Sequence, residues 1–97
     1  MVNNITHNVL VHALKTIENK QEGSCLHTSL FITLYLHWCN DLNQPFFYTT
    51  RKIVMAQSKI KSIASFHKII SNLVEWGLIE YFPSYQPKSG TKYRIIY

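Results

Sequence analysis

Two groups of cationic and hydroxyl side chains occupy the second half of this chain. One is Lys59, Lys61, Ser62, Ser65, His67 and Lys68, within "SKIKSIASFHK". The other is Lys88, Ser89, Thr91, Lys92 and Arg94, within "KSGTKYR". Ammonium and guanidinium groups neutralise phosphates, while hydroxyl and imidazole groups hydrogen-bond phosphate oxygens and base edges. Residues 1–48 hold two Lys against three acidic residues; residues 49–97 hold eight Lys or Arg against two. A basic half on a near-neutral chain points to a polyanionic partner. The alternative is a lysine-rich face that only meets solvent.

Other chemistries find less support. "CLH" (25–27) and "HWC" (37–39) mirror each other as soft metal ligands. Cys25 and His27, however, would point about 200° apart on one helix, and zinc pairs are usually spaced C-x₂₋₄-C. No metal and no cofactor is therefore expected, and Cys25 and Cys39 read as inert thiols. The five carboxylates include no metalloprotease helix motif, and neither a glycine-rich phosphate loop nor a nucleophile elbow occurs. The expectation is a binding protein and not an enzyme.

The elements that must position the basic groups follow from periodicity and punctuation. Ile5, Val9, Leu10, Ala13, Leu14 and Ile17 recur at helical spacing, and "NKQEGS" interrupts them at Gly23. A second, more central helix is predicted from Leu26 to Asp41, with Leu26, Leu30, Phe31, Leu34, Tyr35 and Trp38 on one face and Thr33 and His37 off it. "NQPFFY" reads as a connector because Pro45 opposes helix continuation. Thr49 or Thr50 can cap a short helix in "TRKIVMAQ" that turns Ile53, Val54 and Ala56 to the core.

After the turn "SKIKS", Ser62 can cap a helix running to Trp76 and stopped at Gly77. On its wheel Ile63, Phe66, Ile69, Ile70, Leu73 and Val74 form the apolar arc. Lys61, Ala64, Ser65, Lys68, Ser71, Asn72 and Glu75 form the polar one. "LIEYFPSY" and "TKYRIIY" read as strands around the turn "QPKSG". The aromatics Phe46, Phe47, Tyr48, Tyr81, Phe82, Tyr85, Tyr93 and Tyr97 fit core and sheet packing; stacking on unpaired bases is their other use. Trp76 fits as a wedge between the helix and the hairpin.

Ninety-seven residues, 46% of them hydrophobic, support one domain with one core. No apolar run reaches the roughly 18–20 residues of a membrane span, and the start lacks a secretory pattern. Two cysteines make no disulfide framework, so the expected setting is a reducing cytoplasm.

The expected fold is mainly α with a C-terminal β-hairpin (α+β), a winged helix-turn-helix. Residues 24–97 form the core, and residues 1–22 form an additional N-terminal helix. In that arrangement the helix over 62–76 enters the major groove of double-stranded DNA, and the wing over 79–97 lies on the backbone or in a minor groove. The apolar face of the first helix exceeds what one small domain needs to cover, which points to a homodimer.

"TTRKIVMAQSKIKSIASFHKIISNLVEWGLIEYFPSYQPKSGTKYRIIY" resembles the C-terminal half of small winged-helix proteins carried by bacterial mobile and conjugative elements. The matching positions are Ser58, Lys59, Ile60, Ser62, His67, Lys68, Trp76, Gly77, Ile79, Pro83, Ser84, Pro87 and Gly90. The resemblance implies DNA binding in the control of transcription, excision or transfer of such an element. Two positions depart from the pattern: Lys61 stands where glycine is frequent, and Ile63 where a basic residue is frequent. The rival reading is a winged-helix adaptor that binds protein in a replication or transfer assembly. A third reading, a repressor that senses a small molecule, has no identifiable ligand in the sequence.

Overall fold

The computed structural model describes residues 4–83 and 90–97. Among these residues four helices and three strands follow in the order α1 (Asn4–Asn19), α2 (Cys25–Asn40), β1 (Phe47–Thr49), α3 (Arg51–Ser58), α4 (Ile63–Glu75), β2 (Ile79–Phe82) and β3 (Thr91–Ile95). The chain is thus mainly helical with a small antiparallel sheet. None of its described helices is long and apolar enough to cross a membrane.

Helix α2 is the centre. Leu30, Phe31, Leu34, Tyr35 and Trp38 are all buried, and α2 packs against α1, α3, α4, β1 and β3. Helix α1 lies on it through Val9, Ala13 and Ile17, and the Tyr35 hydroxyl donates to the Thr6 carbonyl (3.1 Å). Those contacts use up most of the apolar face of α1. Of its large apolar side chains Ile5 stands well exposed, and Leu10, Val11 and Leu14 are half-buried. Thr33, expected off the buried face, is buried too, and its hydroxyl is satisfied there by donating to the Ser29 carbonyl at 2.9 Å.

The sheet has a third strand that the connector reading missed. β1 pairs antiparallel with β3 (Phe47↔Tyr93, Tyr48↔Lys92, Thr49↔Thr91), and β3 pairs with β2 (Ile79↔Ile95 through Phe82↔Lys92). The spatial order is β1-β3-β2. Three residues are too few to show a period of two, and only the open edge of β3 gives them hydrogen-bond partners. Phe47, Tyr93, Ile79 and Ile95 point inward and are buried. Phe47 stacks on Tyr93 at 5.6 Å between ring centres. Burial pushes the Tyr93 phenol well above its ordinary range, with nearby Tyr81 adding to the rise.

The helix ends follow local chemistry. Thr50 Oγ1 accepts from the Ile53 N–H (3.2 Å) and starts α3. Of the three residues expected inward on α3 only Val54 is buried, whereas Ile53 and Ala56 are exposed. Two helical turns offer one inward pair at i and i+4, here Val54 and Ser58. At the end of α4, Gly77 takes φ +75. Its N–H donates to Val74 O, and the Leu78 N–H reaches back to Leu73 O (both 3.0 Å), which is a Schellman closure.

Candidate nucleic-acid interface

The turn between α3 and α4 is held from beneath. Ser58 and Ile60 are buried, and the Ser29 hydroxyl of α2 donates to the Ser58 carbonyl at 2.8 Å. The Ile60 N–H donates to Met55 O at 3.1 Å. Between these two anchors the backbone passes through the left-handed region at Lys59 (φ 65), not at Lys61, where the departure from glycine was noted. Lys59 and Lys61 are consequently both turned outward and exposed.

Helix α4 starts at Ser62, whose Oγ accepts from the Ser65 N–H at 3.1 Å. Ser62 therefore acts first as the helix cap, and only its own O–H remains as a donor to a partner. Phe66, Ile69, Ile70 and Leu73 are buried beneath the helix; truncating Phe66 to Ala would cost roughly 3–5 kcal/mol. Lys61, His67, Lys68 and Ser71 stand exposed on its other side, with Ser65 half-buried. Nothing among the described residues covers this side. Two residues expected in the apolar arc, Ile63 (49% exposed) and Val74 (41%), lie at its rims and meet solvent.

Asn72 goes the other way. Placed on the polar arc by the wheel, it is only 9% exposed, and its side-chain amide lies 2.9 Å from His27 Nε2. The opposite ring nitrogen of His27, Nδ1, accepts from the Ser24 N–H (3.1 Å) and lies 2.8 Å from Ser24 Oγ. The ring also stacks on Trp76, 4.9 Å between centres. Trp76 therefore packs α4 against the start of α2. Burial lowers the His27 pKa; Glu22 opposes that shift and Lys68 adds to it.

The hairpin residues divide by strand alternation. Thr91 shares the inward side with Tyr93, whereas Lys92 and Arg94 share the outer side. Arg94, expected on phosphate or in a minor groove, forms an ion pair with Glu80 across the strands. The Lys92 ammonium sits over the rings of Phe46 (4.6 Å) and Phe82 (4.8 Å). Lys88 and Ser89 lie outside the described residues, as does Tyr85.

A cleft of about 320 Å³ lies between α4 and β2, lined by His67, Ile70, Ser71, Val74, Glu75 and Tyr81. His67 and Ser71 thus border β2, the first hairpin strand, and Tyr81 joins the surface although the charge pattern gave no hint of it. Exposed Arg51 and Lys52 open α3; their charge was visible in the sequence, but their place beside β1 was not. Cys25 and Cys39, at opposite ends of α2, are about 21 Å apart along its axis, and among the described residues no three His, Cys, Asp or Glu converge.

Compared with known proteins, the chain matches no family model, and neither a curated protein nor a solved structure is significantly similar to it.

Proposed function

We propose that this chain is a winged-helix protein that binds double-stranded DNA. The N-terminal half of α4 enters the major groove, and the β2–β3 hairpin lies on the backbone or in the adjacent minor groove. The observation that carries the reading is the free cationic side of the α3–α4 unit: Lys59, Lys61 and Lys68 are all exposed, with the His67 ring exposed beside them, around the start of a helix whose other side is buried. Residues near a recognition helix's N-terminus are those that reach base edges, and the helix's positive end favours phosphate. The succession α2-β1-α3-α4-β2-β3 with sheet order β1-β3-β2 supports the same reading, because a winged helix has a hairpin directly after its recognition helix, and here β2 packs on α4. The resemblance to regulators of bacterial mobile elements supplies the setting: control of transcription, excision or transfer.

Anisotropy titration of a labelled duplex against salt tests it. If about five phosphates are neutralised, log K falls with log[salt] at a slope of roughly −4 to −5. Lys61→Glu with Lys68→Glu weakens binding strongly and makes that slope shallower. Affinity unchanged by both substitutions, or indifferent to salt, would move the assignment to a protein-binding adaptor.

A further inference from the structure

The outer face of the sheet carries exposed aromatic rings to which the duplex-binding reading gives no role. Strand alternation brings Phe46, Tyr48, Phe82, Lys92, Glu80 and Arg94 to this face. Core packing accounts for Phe47 and Tyr93, but not for these rings: Phe46, Phe82 and Tyr48 all remain substantially exposed, Tyr48 at 62%. Phe46 and Phe82 lean edge to face across the central strand, 5.9 Å between centres, and hold the Lys92 ammonium between them. Among the described residues Lys92 has no carboxylate partner, since Glu80 is taken by Arg94. Tyr48 has no ring partner there either. It stands in register with Lys92 and Phe82 in one row across the three strands, so Tyr48 and Phe82 flank the cation at about two strand spacings, roughly 10 Å.

We infer that this face binds unpaired nucleotides, with bases stacked on Tyr48 and Phe82 and a phosphate at the Lys92 ammonium. A caged cation asks for an anion, and flat exposed rings ask for flat partners; an unpaired strand supplies both in alternation. A duplex cannot, because its bases are already stacked on one another. Exposed Arg51 and Lys52, just beyond the end of β1, extend the cationic border. An acidic peptide would satisfy Lys92 but would not need aromatic surface at position 48. The inference rests on the nucleic-acid reading above and adds to it a preference for DNA in which a duplex ends in a single strand.

The test uses the full chain and three fluorescein-labelled probes: a blunt duplex, the same duplex with an oligothymidylate overhang, and oligothymidylate alone. The overhang tightens binding, and Tyr48→Ala removes at least about fivefold of that gain. Tyr48→Phe keeps the gain, whereas Tyr48→Leu loses it as Ala does. Tyr48 projects into solvent, so circular dichroism and Tm of these variants stay at wild-type values. No gain from the overhang, wild-type behaviour of Tyr48→Leu, or preference for poly-glutamate over oligothymidylate would each overturn the inference. Lys61→Glu and Lys68→Glu act on the blunt duplex instead. A face that fails leaves the blunt-duplex signal intact, and a groove reading that fails leaves the Tyr48-dependent signal.

Discussion

Replacing Asn72 by Leu removes the only polar side chain that α4 sends into the interior. Its amide is the partner of His27 Nε2, and His27 is 4% exposed, so water cannot reach the abandoned ring nitrogen without opening the contact between α4 and α2. Leaving a buried polar group unsatisfied costs roughly 1–3 kcal/mol. For a domain of this size each kcal/mol moves Tm by about 4–8 °C, so a fall of roughly 4–24 °C is expected. The assay is thermal and urea unfolding, followed by circular dichroism, of the wild type, Asn72→Leu, His27→Leu and the double variant. Removing both partners leaves no orphan at the contact between α4 and α2, and the loss of the Ser24 bond is common to His27→Leu and the double variant, so the double variant costs less than the two single changes together, by roughly 0.5–3 kcal/mol. Strictly additive costs would show that the two side chains do not act as a pair and would refute the reasoning.

Acid acts on the same contact. Burial lowers the His27 pKa below the ordinary 6.5, so between the folded value and 6.5 the unfolded chain binds more protons than the folded one. Stability from this group is complete above about pH 6.5 and declines as pH falls through the folded value; urea unfolding of His27→Gln shows a shallower loss than wild type over that range. Leu42, 82% exposed, holds a left-handed conformation (φ 57) after α2, a position suited to glycine. Leu42→Gly stabilises the chain by up to about 1 kcal/mol, read as a small rise in Tm. Lys59 also has positive φ; Lys59→Gly leaves Tm within a few degrees, Lys59→Val lowers stability by roughly 1–2 kcal/mol or more, and both weaken duplex binding alike if the charge is what matters.

What the sequence determined by itself was the start and stop of elements, which neighbours within a few residues govern. Ser62 and Gly77 bound α4 because a side-chain oxygen three positions ahead of an N–H, and a residue free to take positive φ, act locally. The basic side of α4 was legible for the same reason, since helical geometry turns spacing into direction. The α3–α4 turn and both hairpin strands were legible through their punctuation.

The tertiary structure decided whatever depends on a partner far along the chain. Asn72 lies inward because His27 meets it there. Arg94 is paired because antiparallel register puts Glu80 opposite. β1 is a strand only because β3 offers it an edge. A strand also alternates its side chains without saying which set will be covered. The inner rings of Phe47 and Tyr93 and the outer rings of Tyr48 and Phe82 are chemically alike, and it is the core lying against one side of the sheet that buries the first pair and leaves the second in water.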